Sequence, residues 1–225
     1  MSETPGSAAG GGAGRGSRDR GPLLIGLTGP IGCGKSTVAH WLVERGAMLV
    51  NADRLARDVT EPGSAALEAV VARFGSDVLR PDGSLDRAAL GRIVFADPGA
   101  LAALESIIHP AVRPRILEAM RAAVARDPVA VVLEAIKLVE AGYPALLDEV
   151  WLVHCSPAEQ EERLIGRGMD RADARQRMQA QAGLADRLAA AATRIIDTSG
   201  TAAEAHRRVD DALSDALAAD AGRPE

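Results

Sequence analysis

The sequence predicts a doubly wound α/β fold on a five-stranded parallel sheet, and three observations carry that expectation. Short apolar runs alternate with helix-periodic stretches along most of the chain. A glycine-rich turn separates the first run from the first helix. The second run follows that helix so soon that only a βαβ unit with a right-handed crossover accommodates it.

The elements follow in order. Residues 1 to 21 are rich in glycine, serine and arginine and lack apolar periodicity, so burial cannot offset their ordering entropy; they are expected to be a disordered tail. Leu23 to Thr28 reads as the first strand, a helix-like stretch runs through Arg45, and Met48 to Asn51 is the second strand. Residues 52 to 126 hold no strong strand, only a weak Asp77-Val78-Leu79 piece, and read as a helical insertion punctuated by Glu61-Pro62-Gly63, Pro81-Asp82-Gly83 and Asp97-Pro98-Gly99. Strands return at Val129 to Leu133, Val150 to His154 and Arg194 to Ile196. An arginine- and glutamine-rich helical segment, about 159 to 187, precedes the last strand, and an amphipathic helix from Ala202 to Leu217 closes the domain.

Composition narrows the function classes. The 225 residues suit one domain, and a net charge of −5 provides no global basic field for nucleic acid. The longest apolar run, Val129 to Leu133, is too short to span a bilayer, and no apolar signal core opens the chain. Cys33 and Cys155 are the only cysteines, too few for a disulfide framework, which fits a reducing, cytoplasmic setting. Lys35 and Lys137 are the only lysines, a bias that genome composition can explain.

Gly29-Pro30-Ile31-Gly32-Cys33-Gly34-Lys35-Ser36-Thr37 matches G-x-x-x-x-G-K-[ST] between a strand and a helix, the context a phosphate-binding loop requires. Gly29, Gly32 and Gly34 let backbone N–H groups converge on phosphate, and the helix start aims its positive dipole end at the same anion. Lys35 is expected to reach the β- and γ-phosphates of ATP, Ser36 to ligate Mg²⁺, and Thr37 to bond a phosphate nearer the base. Cys33 reads as a small side chain in that loop, with a redox switch as the alternative. An Asn-Lys-x-Asp guanine element is absent, and Asp197-Thr198-Ser199-Gly200 follows the last strand, out of order for a switch GTPase.

The phosphate loop together with Asn51-Ala52-Asp53-Arg54-Leu55-Ala56-Arg57, Glu61-Pro62-Gly63, Ile107-Ile108-His109-Pro110, the carboxylates Glu134 and Glu140, and Ile196-Asp197-Thr198-Ser199-Gly200 resembles dephospho-CoA kinase over roughly residues 22 to 215. The resemblance implies a P-loop kinase domain spanning 22 to 219, with an acceptor-binding helical insertion and a lid, in which ATP and dephospho-CoA are the small-molecule substrates and Mg²⁺ the metal. It further implies a monomer or weak homo-oligomer without nucleic-acid or membrane partners, working at the last step of coenzyme A synthesis. Asp53 then becomes the catalytic base; its other reading is the N-cap of a helix starting at Arg54. Arg57 can hold the acceptor's phosphate or simply be solvated. His109 falls at the edge of the acceptor pocket, although Pro110 alone accounts for a break in the helical pattern there. Arg163 and Arg167, four apart on one helix face, resemble the lid arginines that close on ATP phosphates, against the plainer reading of an exposed charged helix. Thr198 and Gly200 stand where the family places an asparagine-containing turn near the adenine. Lys137 departs from the family's proline-leucine-leucine stretch and has three readings: a phosphate contact, an ion pair with Glu134 or Glu140, or a stem reaching into water. A kinase for another small acceptor, such as a nucleoside monophosphate or a sugar acid, and a nucleotide-binding regulator without turnover are the competing readings.

Overall fold

In a computed structural model, residues 21–222 are described, so the tail read from residues 1 to 21 lies outside them except for Gly21. The chain runs β1 (Leu23–Thr28), α1 (Lys35–Glu44), β2 (Met48–Asn51), α2 (Ala52–Asp58), α3 (Ala65–Phe74), α4 (Arg87–Ala96), α5 (Pro98–Val124), β3 (Ala130–Glu134), β4 (Glu149–His154), α6 (Pro157–Gly166), α7 (Arg171–Ala180), α8 (Leu184–Ala189), β5 (Arg194–Asp197) and α9 (Ala202–Ala221). All strand pairs are parallel, in the order β2-β3-β1-β4-β5. The five predicted strands are therefore all present, and the expected parallel sheet is observed.

Each central strand buries both of its faces, which is why it reads as a continuous apolar run. Ile25 and Leu27 of β1, Val132 of β3 and Trp151 and Val153 of β4 pack with Val38 and Leu42 of α1 and Val209 and Leu213 of α9. The opposite face, through Val131, Leu133 and Val150, packs on Val112, Ile116 and Met120 of α5. A separate small core joins Leu67 and Val70 of α3, Val78 and Leu85 from the connection that follows, Leu90 and Val94 of α4, and Ala100 at the start of α5.

Three local expectations are corrected. The weak strand at Asp77–Leu79 is a 3₁₀ turn, Ser76–Val78, followed by one isolated antiparallel bridge between Leu79 and Leu85. No turn occurs at Ile107-Ile108-His109-Pro110: α5 continues through Pro110 and Pro114. Each proline removes one i→i−4 bond, at a cost of roughly 3 kcal/mol, but burial of Val112, Ile116 and Met120 beneath the sheet keeps the second half of the helix in place. Cys33 is not an unlinked small side chain. It is disulfide-bonded to Cys155, because the loop after β1 and the end of the neighbouring β4 bring their Cα atoms to 5.2 Å across 122 residues of sequence.

Candidate active site

The order β2-β3-β1-β4-β5 places the carboxyl ends of β1, β2 and β3 side by side, and chemistry-bearing residues gather there. Register alone pairs Leu27 and Asn51 with Glu134 across these strands. The loop from Gly29 to Gly34 leaves β1 above that edge. Gly29 has φ 146°, and a Cβ at this position would stand 2.1 Å from the Val153 carbonyl oxygen, so only glycine permits the chain to pass so close to β4. Gly34, at φ 87°, turns the backbone into α1 so that Lys35 and Ser36 open the helix with their N–H groups at the anion-binding end, while the Thr37 N–H donates to the Gly34 carbonyl at 3.0 Å.

The Lys35 ammonium donates to the Gly29 and Pro30 carbonyls at 2.8 and 3.1 Å. Burial holds its pKa below the ordinary 10.5; Glu134 and Asp53 oppose that shift and Arg167 adds to it. Lys35, Glu134, Asp53 and Arg167 thus share one electrostatic site. Ser36 Oγ donates to Glu134 Oε1 at 3.0 Å, and Asn51 Nδ2 donates to Glu134 Oε2 at 2.8 Å. Glu134 is buried, so both carboxylate oxygens are held in fixed directions beneath the loop.

Asp53 lies in the first turn of α2. The helix is capped by Asn51, whose Oδ1 accepts from the Arg54 N–H at 2.8 Å, so the cap reading of Asp53 is corrected. Desolvation raises the Asp53 pKa above 3.8, against the pull of Lys35 and Arg57. Arg57 stands one turn further along the same helix.

On the opposite side of the loop, Arg163 of α6 donates to Thr198 Oγ1 at 3.0 Å and to the Thr198 carbonyl at 2.6 Å. The Thr198 hydroxyl lies 2.8 Å from the Cys33 carbonyl and 3.1 Å from that of His154, and donates to one of them. Gly200 N donates to Glu159 Oε1 at 2.7 Å. The turn after β5 is thereby fastened to the phosphate loop and to α6. Gln160 Nε2 donates to the Ile31 carbonyl and Gln181 Oε1 accepts from the Ile31 N–H, so residues of the 159–187 segment also grip the loop. That segment is three helices, α6, α7 and α8.

His109 and Lys137 line a cleft between α4 and α5 on one side and α7 and α8 on the other, and Asp53 is not part of its lining. The Lys137 pairing differs from the expected one with Glu134 or Glu140: its partner is Glu105 on α5. Glu134 is already committed to Ser36 and Asn51, and α5 passes the loop that follows β3. Sequence reasoning gave no role to Glu105, Gln160 or Asn51, and treated Glu134 only as one of the family-like carboxylates and a candidate partner of Lys137. For Glu134 a signal exists, since a carboxylate ends the strand adjacent to the phosphate-loop strand.

Residues 23–204 match the family profile described as dephospho-CoA kinase. The chain belongs to the dephospho-CoA kinase family. A dephospho-CoA kinase of Streptomyces avermitilis is 50% identical over 194 residues, covering 86% of this chain and 93% of that protein. One from Symbiobacterium thermophilum is 44% identical over 202 residues, covering 89% and 84%. A crystal structure from Thermus thermophilus superposes with a TM-score of 0.75 at 33% identity, covering 87% of this kinase and 98% of the other chain. The fold is shared as well with dephospho-CoA kinase from Campylobacter jejuni, at a TM-score of 0.64 and 24% identity over 88% and 98%.

Proposed function

We propose that the chain transfers the γ-phosphoryl group of ATP to the ribose 3′-hydroxyl of dephospho-coenzyme A, giving coenzyme A and ADP in the cytoplasm. The observation that carries this reading is the meeting of Lys35, Asp53 and Glu134 beneath one phosphate loop in a member of this family. Among the described residues, no helix is long and apolar enough to cross a membrane, which suits soluble substrates.

The loop N–H groups and Lys35 hold the β- and γ-phosphates and balance charge that spreads over the transferring group. Asp53 orients the acceptor hydroxyl and takes its proton as the bond to phosphorus forms; burial raises its pKa above 3.8, which strengthens its hold on that proton. Arg57 supports the acceptor side, and His109 lines the acceptor cleft. Arg163 and Arg167 serve the nucleotide side, Arg163 by fixing the Thr198–Gly200 turn against the loop and Arg167 by adding positive charge near Lys35. Ser36 and Glu134 supply hard oxygen donors 3.0 Å apart, a pair that fits Mg²⁺ held with phosphate oxygens and water. Bound there, Mg²⁺ would neutralise phosphate charge. We further propose the boundaries 22–219 for the kinase domain, with 52–126 receiving the acceptor and 159–187 covering ATP.

Incubation with magnesium-ATP and dephospho-CoA, followed by mass analysis, should show one phosphoryl group added to the acceptor. Absence of that product, with phosphorylation of a nucleoside monophosphate or a sugar acid instead, would replace the acceptor in this reading.

A further inference from the structure

The cleft holding Lys137 measures about 640 Å³ and reaches from Ile31 of the phosphate loop to the exposed Phe95 of α4. Its walls are mostly apolar, and its permanent charges are Lys137, Arg177 and Arg187 against Glu105 and Glu140. The balance leaves one positive charge for an anion. Lys137 and Glu105 form an ion pair across the cleft, with side chains 48% and 32% exposed. At that exposure, water screens the pair and leaves it little net stabilisation. It is therefore a weak tie between α5 and the sheet, and a denser anion can break it. Lysine suits that exchange, being a compact charge on a flexible stem that binds phosphate without fixed geometry.

We propose that Lys137 is a specificity residue for the diphosphate of the acceptor, and that Glu105 is a built-in competitor which the diphosphate displaces. The proposal rests on dephospho-CoA being the acceptor. In the unliganded kinase Glu105 neutralises Lys137; on binding, two phosphate charges take the place of one carboxylate, and the apolar walls receive the remainder of the acceptor.

The test compares wild type with Lys137→Met, Glu105→Gln and the double variant, measuring Kd for dephospho-CoA by calorimetry at two salt concentrations, KM for both substrates, and Tm. Competition predicts opposite signs. Lys137→Met should raise the Kd and KM for dephospho-CoA about 5–10-fold and flatten their salt dependence, whereas Glu105→Gln should lower both about 2–3-fold. The double variant should resemble Lys137→Met, and KM for ATP should stay within twofold in all three. A purely structural tie would move both single variants the same way, with matching losses of Tm. That pattern, or affinities unchanged in Lys137→Met, overturns the proposal while dephospho-CoA remains the acceptor. A wild type that neither binds nor phosphorylates dephospho-CoA overturns the underlying reading instead.

Discussion

Replacing Asp53 with asparagine separates chemistry from architecture, because the structure assigns the helix cap to another residue. Asn51 accepts the Arg54 N–H at 2.8 Å, so Asp53→Asn removes no capping bond. Asparagine could itself serve as a cap, so Asp53→Ala is the architectural control: had Asp53 been the cap, the alanine would cost about 1 kcal/mol, which in a domain of this size is a Tm drop of about 2–4 °C. The carboxylate also carries a desolvation cost that raises its pKa above 3.8. A raised carboxyl pKa means that the folded state holds the proton more tightly than the unfolded chain. The ionised form therefore costs stability above the folded pKa, and the cost disappears as pH falls through it. The neutral amide avoids that cost, so Tm near neutral pH should hold or rise slightly. Turnover should behave oppositely. Loss of a positioned general base removes about 10²-fold or more in kcat, equivalent to about 2.7 kcal/mol of barrier. Steady-state assays with dephospho-CoA, nucleotide titration and a thermal melt give the three readings. A drop in Tm with kcat nearly intact, or equal losses of ATP affinity and rate, would refute Asp53 as the base.

In wild type, kcat/KM for dephospho-CoA should fall as pH drops through the Asp53 pKa, which lies above 3.8, and Asp53→Asn should lose that acidic limb; a limb of unchanged position in the variant assigns it to another group. Lys35→Met should abolish most turnover, and a rate near wild type would remove the phosphate loop from the mechanism. Ile116→Ala, at a side chain 1% exposed under the sheet, should cost about 2–5 kcal/mol in denaturant melts, with KM for ATP preserved; a cost near zero would show that α5 does not anchor that core. Cys33 and Cys155 should resist thiol alkylation in the denatured protein until a reductant is added, and two reactive thiols before reduction would show that the bridge is not formed.

The three central strands were readable in sequence because burial on both faces writes itself as unbroken apolar runs, and the phosphate loop because its backbone demands glycine at fixed spacing. What failed to show depended on distant partners. The Pro110 signal is local and reads as a stop, but the force that carries α5 past it is the contact of Ile116 and Met120 with the sheet. Cys33 and Cys155 lie 122 residues apart, and only the pairing of β1 with β4 makes them neighbours. Glu105 became the partner of Lys137 through a 32-residue separation that no helical or strand period encodes. Asn51 and Asp53 both favour caps in sequence, and the start of α2 at Ala52 chose between them.

Among the described residues, helix α5 is the one element common to the small helical core and the core beneath the sheet. Ala100 lies in the first, and Val112, Ile116, Met120 and Ala123 in the second. At 1.5 Å per residue its 27 residues form a rod of about 40 Å. Pro110 and Pro114 interrupt its hydrogen-bond ladder near the boundary between the two cores, where Ile108 packs against both. The helix is therefore two stiff arms joined at a compliant joint. Each arm is held by its own core, the one carrying Glu105 and His109 by α3 and α4 and the other by β3.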